Sequence, residues 1–184
     1  MKMFLSFLTS VFATVHFVAG NDHIIKLGQT LRVKDFSWKN CGGSTAVFTD
    51  LSLSPDPLQF PGTLTISAGL NISQTLTAAL PASLLIEKSV LGKFVKIPCI
   101  DNFGSCDYDD LCALLDQITQ CPDPLVAAGI PCQCPFKSAS YKLPPADFDV
   151  DAAFLPEGDY HVKGSISFGG TEVGCLEFYA SVSD

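Results

Sequence analysis

Apolar and polar residues alternate one by one along several stretches of this chain, which is the pattern of a half-buried β-strand. The clearest stretch covers residues 63–73, whose apolar positions are Leu64, Ile66, Ala68, Leu70 and Ile72. Residues 160–168 alternate in the same way, and residues 173–182 follow them across the Gly169-Gly170 turn. These last two stretches predict an antiparallel hairpin.

Further stretches predict strands of the same kind. In residues 47–53, Val47, Leu51 and Leu53 fall on one face, opposite polar side chains. Residues 84–87 and 93–97 flank the string VLG and predict a second hairpin. Residues 21–34 are polar and weakly patterned, so we expect a loose arm there. About seven or eight strands at this spacing are typical of a β-sandwich.

The period becomes helical between Cys106 and Cys121, where apolar residues recur at Leu111, Leu114, Leu115 and Ile118. This segment predicts one short helix, with Asp107, Asp109 and Asp110 in a first turn where their charge complements the helix dipole. The aspartates do not match a calcium-binding EF-hand loop, which needs Gly at its sixth position and Glu at its twelfth.

An apolar run over residues 3–19 follows Lys2 and ends before Gly20, as in a secretory signal peptide. We therefore expect residues 1–20 to be a signal peptide and residues 21–184 to form one domain. In the oxidising secretory pathway, eight cysteines indicate disulfides rather than metal ligands. The chain has no Cys-x-x-Cys pair, and no His lies beside Cys132-Gln133-Cys134, so we expect neither a metal nor a cofactor.

The net charge of -8 at neutral pH argues against nucleic acid as a partner. Near pH 4.5, partial protonation of the carboxylates would reduce the charge of residues 21–184 to roughly -2. Repulsion from anionic membranes would therefore fade in an acidic compartment. The string Asn71-Ile72-Ser73 is a glycosylation sequon on the polar face of its strand, and we expect a glycan at Asn71.

The chain contains no catalytic motif of the Gly-x-Ser-x-Gly or His-Glu-x-x-His type, and neither His23 nor His161 stands in a nucleophile context. We therefore expect no enzyme, although the many aspartates leave a glycosidase-like carboxylate pair open. The composition is 47% hydrophobic with 14 Phe. This content fits either a filled sandwich core or a sandwich opened around an apolar cavity.

Several short motifs follow one another between Phe36 and Phe178, namely FSWKNC at 36–41, LSPDP at 53–57, KIPC at 96–99, GSC at 104–106, CPDPL at 121–125, GIPCQCPF at 129–136 and GC at 174–175. With the eight cysteines, they resemble the ganglioside activator family, the lysosomal sphingolipid activators of the lipid-recognition (ML-type) domain class. The segment Phe154-Leu155-Pro156-Glu157-Gly158 is shorter than its counterpart in that family.

The resemblance implies an all-β fold, an antiparallel immunoglobulin-like sandwich opened into a β-cup around an apolar lipid cavity, with one short helix and four disulfides. The implied pairs are Cys41–Cys175, Cys99–Cys106, Cys112–Cys134 and Cys121–Cys132. Within this fold, the strand alternation selects candidate cavity residues, which are Leu64, Ile66, Leu70, Val95, Ile166 and Phe168. Phe154 and Leu155 are the candidate membrane rim.

The resemblance also implies a function without catalysis. Such a protein is lysosomal or extracellular, touches membranes transiently, extracts a glycosphingolipid or other two-chain lipid, and presents it to a soluble glycosidase, a lysosomal β-hexosaminidase. A sterol or phospholipid carrier and a lipid-sensing co-receptor of the same fold are the alternatives.

Overall fold

A computed structural model describes residues 31–102, 104–150 and 156–183. The expected signal peptide therefore lies outside the described residues. The strands, in chain order, are β1 (Leu31–Gly42), β2 (Ala46–Ser54), β3 (Leu58–Phe60), β4 (Gly62–Ile72), β5 (Ala82–Val90), β6 (Lys93–Lys96), β7 (Asp107–Tyr108), β8 (Ala139–Val150), β9 (Gly158–Phe168) and β10 (Thr171–Ser183). Two short helices, α1 (Leu111–Leu115) and α2 (Asp123–Ala127), lie between β7 and β8.

The strands form two antiparallel sheets, which confirms the all-β sandwich. The larger sheet has the order β3-β1-β10-β9-β5-β6, with β7 also paired to β5, and the smaller sheet has the order β2-β4-β8. The predicted loose arm is wrong at its end, because Arg32 pairs with Ser183 and also with Gln59. Hydrogen bonding to two neighbouring strands stabilises this part of β1. Its alternation, with Leu31 and Val33 apolar and Arg32 and Lys34 charged, is short because a register shift follows Lys34.

A bulge in β2 changes which of its residues face the core. Register shifts between Phe48 and Asp50, so that Phe48 lies opposite Leu70 and Leu51 lies opposite Ala68. An extra residue in a strand turns the following side chains to the other face. Val47 consequently pairs with Asn71 on the polar side, and the predicted face that joined Val47 to Leu51 is wrong.

The helical segment is shorter than its pattern predicts. α1 has five residues, and Asp110 caps it by accepting a hydrogen bond from the amide of Cys112. Asp107 instead belongs to β7 and accepts a hydrogen bond from Ser83 at 2.5 Å. Sequence analysis missed α2, which starts after Pro122 and is too short to show a period. Among the described residues, no helix is long and apolar enough to span a bilayer.

The disulfides pair Cys41 with Cys175, Cys99 with Cys106, Cys112 with Cys134 and Cys121 with Cys132. These are the four pairs that the resemblance implies. They lie towards one end of the sandwich, here called the disulfide end, together with β7 and the two helices. The turn between β5 and β6, residues 90–93, and the start of β9 lie at the opposite end, here called the hairpin end.

Each end has its own buried cluster. At the disulfide end, Leu76 and Leu80 are almost fully buried, and Ala46, Ile72 and Val173 pack with them. At the hairpin end, Tyr160 and Val182 form a smaller cluster with the half-buried Val33, Phe60, Ile86 and Ile97. The apolar side chains between the sheets therefore do not form one uniform core.

Candidate functional site

An apolar cavity of about 230 Å³ lies between the two sheets near the disulfide end. Both sheets and the segments that carry Leu76, Leu80, Leu111 and Phe136 contribute to its wall. The remaining lining residues are Ala46, Phe48, Leu70, Ile72, Gly164, Ile166, Gly174, Cys175 and Leu176. No side chain in this lining carries a charge or a strong hydrogen-bonding group. The cavity can therefore hold an alkyl or ring hydrocarbon but offers nothing to fix a polar headgroup.

Two glycines act in opposite ways on the size of this cavity. A Cβ atom built on Gly164 of β9 would meet no non-neighbouring atom within 4 Å. The missing side chain of Gly164 therefore leaves open space beside Leu176, its partner on β10. At Gly174, by contrast, a Cβ atom would lie 2.8 Å from the carbonyl oxygen of Ala46. Gly174 thus permits the close approach of β10 to β2 that closes the wall.

The floor of the cavity comes from residues that the strand pattern did not single out. Leu76 and Leu80 are 1% and 0% exposed although they precede β5 in an irregular segment. Backbone hydrogen bonds hold them, from the amide of Leu76 to the carbonyl of Phe136 at 2.9 Å and from the amide of Leu111 to the carbonyl of Leu80 at 2.8 Å. Only their apolar character could have suggested burial from the sequence.

Two side chains of β1 fasten the larger sheet to the smaller one beside the cavity. The Asn40 amide donates to the carbonyl of Phe48 at 2.8 Å and accepts from the amide of Phe48 at 3.0 Å. The indole of Trp38 donates to the carbonyl of Leu51 at 2.8 Å and meets the Phe48 ring edge-on at 6.4 Å. These bonds give hydrogen-bond partners to backbone groups on the free edge of β2 at its bulge, and they connect the two sheets on this side of the sandwich.

The six candidate cavity residues do not all lie in one place. Leu70 and Ile166 line the cavity, and Phe168 packs against the buried cluster at the disulfide end. Leu64 and Ile66 are half-buried further along β4, towards the hairpin end. Val95 lies on β6 with 51% of its surface exposed. Phe154 and Leu155, the candidate rim, lie outside the described residues.

The hairpin end carries an exposed apolar surface. Val90, Leu91, Phe94 and Val95 are 49%, 100%, 44% and 51% exposed. Leu91 also has a φ of 52°, in the left-handed region, where Asn or Gly is the usual residue of a hairpin turn. Leu91 is fully exposed at a strained turn position, next to three other exposed apolar side chains. Such a group contributes little to folding and is typical of a surface that contacts a partner.

Two polar side chains, Tyr160 near the hairpin end and Asn71 near the disulfide end, are held by hydrogen bonds. Burial raises the pKa of Tyr160, whose hydroxyl donates to the carbonyl of Pro156 at 2.5 Å. Asn71, the expected glycan site, is exposed on the outer face of the smaller sheet, and its Oδ1 atom accepts from Ser140 at 2.6 Å. Among the described residues, no three His, Cys, Asp or Glu side chains are grouped closely enough to hold a metal ion.

The chain resembles known proteins over most of its length. Residues 35–182 match the ML domain family. The ganglioside GM2 activator of Macaca fascicularis is 39% identical over 170 residues, which cover 87% of this chain and 86% of that protein. The ganglioside GM2 activator of Mus musculus is 40% identical over 157 residues, which cover 80% and 81%. A Niemann-Pick type C2 protein from the Japanese carpenter ant aligns to 78% of this chain and 96% of its own, at 16% identity and a TM-score of 0.39.

Proposed function

This chain belongs to the ML domain family, and on that premise we propose that it extracts a glycosphingolipid from membranes and presents it to a soluble glycosidase. The family fold binds lipid, and the curated relatives are named activators. The chain is accordingly a lipid-binding protein and not a hydrolase. A lysosomal β-hexosaminidase is the enzyme that we expect to receive the lipid.

The observation that carries this proposal is the apolar cavity between the sheets. A two-chain lipid exposes about 30 methylene groups, and at ~0.8 kcal/mol each their transfer into water costs more than about 20 kcal/mol. A carrier must offset most of that cost with apolar surface of its own. The lining of Leu70, Ile166, Leu176 and their neighbours supplies such surface and no competing polar group.

The volume of the cavity bears on which lipid it holds. At about 230 Å³ it falls below the roughly 300–1,000 Å³ of typical ligand pockets. It can take part of one acyl chain, while a whole two-chain lipid also needs the space along Leu64 and Ile66. A compact sterol needs less rearrangement than a two-chain lipid, and for this reason a sterol carrier is the second candidate.

We assign transient membrane contact to the hairpin end. Leu91 and its exposed apolar neighbours can enter the acyl region without unfolding the sandwich. Phe154 and Leu155 belong to the segment between β8 and β9, and we propose that they contribute to the same rim. An N-terminal signal peptide would deliver the protein to the lysosome or the cell exterior, where disulfides persist.

A transfer assay tests the proposal directly. Disulfide-intact protein is mixed with donor vesicles that carry a fluorescent glycolipid and with acceptor vesicles, at pH 4.5 and at pH 7. We expect transfer in proportion to protein concentration, and glycolipid cleavage only after a hexosaminidase is added. Absence of transfer at both pH values, or cleavage by the protein alone, would refute the proposal. Mass spectrometry of lipid that co-purifies with the protein separates glycolipid from sterol and phospholipid.

A further inference from the structure

A polar cluster on the outer face of the larger sheet joins three strands. His161 of β9 has a carboxylate oxygen of Glu87, on β5, 2.7 Å from Nδ1 and a carboxylate oxygen of Glu177, on β10, 2.8 Å from Nε2. The side chains of His161 and Glu177 are each 13% exposed, and that of Glu87 is 22% exposed. Both contacts are therefore hydrogen bonds that are largely shielded from water.

Only one protonation state of the imidazole ring satisfies both carboxylates. A neutral ring has one N–H donor and one lone pair, so one of its nitrogens would face a carboxylate oxygen without a hydrogen. The doubly protonated ring donates from both nitrogens and carries a positive charge, which makes both bonds charge-assisted. The complete arrangement therefore exists only when the ring is protonated and both glutamates are ionised.

The surroundings of Glu177 keep it available to His161 in acid. The hydroxyl of Tyr179 donates to Oε1 of Glu177 at 2.8 Å, and Nζ of Lys39, on β1, lies 3.2 Å from Oε2. The hydrogen bond from Tyr179, with help from Lys39 and His161, lowers the pKa of Glu177. Glu177 thus remains an acceptor below the pH at which an exposed glutamate becomes protonated.

Other charged groups face the cluster from the neighbouring strands. Lys96 of β6 is the cross-strand partner of Glu87. On β9 itself, Asp159 and Lys163 flank His161 on the same face, and Lys163 lies opposite Glu177. Asp159 accepts a hydrogen bond from Ser181 at 2.7 Å. These ammonium and carboxylate groups are the charged neighbours of the cluster.

The cluster also supports the exposed hairpin. The rings of His161 and Tyr179 are stacked, with centroids 4.6 Å apart and planes 16° from parallel. Phe94 of β6 lies edge-on to both rings, at 5.7 Å from His161 and 6.1 Å from Tyr179. Glu87 lies on β5, the other strand of the same hairpin. One imidazole thus contacts both strands of the hairpin and connects them to β10.

We propose that His161 is an acid-dependent clamp that holds the β5–β6 hairpin on the larger sheet by binding Glu87 and Glu177 at the same time. When the ring is doubly protonated, both bonds are complete and the hairpin is fixed. A neutral ring has one donor fewer, and the hairpin loosens. A role of this clamp in regulating membrane contact rests on the proposed function, whereas the existence of the clamp does not depend on it.

Hydrogen–deuterium exchange measures the clamp without any lipid. After correction for the intrinsic effect of pH on exchange, we expect the amides of Phe94 to Lys96 to be protected on the order of threefold to tenfold more at pH 5.0 than at pH 7.5, as for one partly exposed charge-assisted bond. His161→Gln cannot gain a second donor through protonation and should abolish this difference. His161→Arg carries a permanent charge and several donors, and it should keep the higher protection at both pH values.

Asp149→Asn on the outer face of the smaller sheet is the matched control, since it removes one carboxylate far from the clamp and should preserve the pH difference. Equal protection of the wild-type hairpin at both pH values would overturn the proposal, as would a full difference in His161→Gln. An intact exchange difference in a protein that transfers no lipid would leave the clamp standing and remove the proposed function.

Discussion

Replacing Gly164 by leucine is the sharpest test of whether the cavity between the sheets holds lipid. Gly164 lies in the cavity wall, and a Cβ atom at this position would point into open space. Its backbone is not in the left-handed region, so a larger residue introduces no backbone strain. The four added carbon atoms should therefore enter the cavity and displace the same volume of ligand.

The two consequences have opposite signs. Burial of a leucine side chain contributes about 1.5–3 kcal/mol and removal of a strand glycine about 0.5–1 kcal/mol, so the empty protein should gain roughly 2–4 kcal/mol. For a domain of this size, that gain raises Tm by about 4–16 °C. Four displaced ligand methylenes at ~0.8 kcal/mol each weaken lipid binding by about 3 kcal/mol, or on the order of 100-fold.

The assay compares melting temperature and lipid affinity in the same preparation. Ser165→Leu is the control, because Ser165 is the next residue of β9 and its side chain points to the opposite face. We expect Gly164→Leu to melt higher and to bind fluorescent lipid much more weakly, while Ser165→Leu binds as the wild type does. A stabilised Gly164→Leu protein with undiminished lipid affinity would show that the cavity is packing space and that lipid binds elsewhere.

Four other predictions follow from single sites. Leu91→Asp should not lower Tm, because Asp tolerates the left-handed region better than Leu, and it should slow lipid extraction from vesicles on the order of 50-fold, because a charge in the apolar region of a bilayer costs about 2–3 kcal/mol. Unchanged extraction would show that the hairpin does not contact the membrane. Ile66→Asp should lower Tm or abolish folding, since it places an unpaired charge between the sheets, and a normal melting curve would contradict this. Secreted protein should lose mass on glycosidase treatment through a glycan at Asn71, and the same loss in Asn71→Gln would contradict this site. The hydrogen bond from Tyr179 lowers the pKa of Glu177 from its usual 4.5, so ionised Glu177 stabilises the fold above pH 4.5, and this stability is lost as the pH falls through the lowered value. In Glu177→Gln, the free energy of unfolding measured with denaturant should therefore change less between pH 5 and pH 2. An unchanged pH dependence would contradict the assignment.

The sequence predicted the parts of the fold in which side-chain period follows burial. β4, β9 and β10 were found because each has one face towards the core along most of its length. The start of β1 was missed because its alternation covers only residues 31–34 before a register shift. The bulge in β2 was missed because a single inserted residue leaves no periodic signal. The disulfide pairs came from the resemblance alone, since spacing allows many connectivities.

The candidate site was less predictable for a physical reason. Leu70 and Ile166 were accessible to pattern analysis because they alternate on strands. Leu76 and Leu80 were not, because irregular backbone brings them under the sheets. Gly164 gave no signal either, since a strand glycine can equally mark a bulge or a close approach. A cavity depends on which side chains are missing across two sheets, and one strand's pattern does not contain that information.

The distribution of covalent links determines which end of the sandwich can make room for the proposed lipid. Cys112–Cys134 joins α1, which follows the larger sheet, to the segment that precedes β8 of the smaller sheet. At that end the sheets cannot separate without moving both segments, because Leu76 is also bonded to Phe136 there. At the hairpin end, the described residues contain no disulfide, and Tyr160 and Val182 are the buried side chains of a smaller cluster. We therefore expect that a ligand larger than about 230 Å³ would separate the sheets along Leu64 and Ile66, at the end where Leu91 is exposed, because that movement costs least.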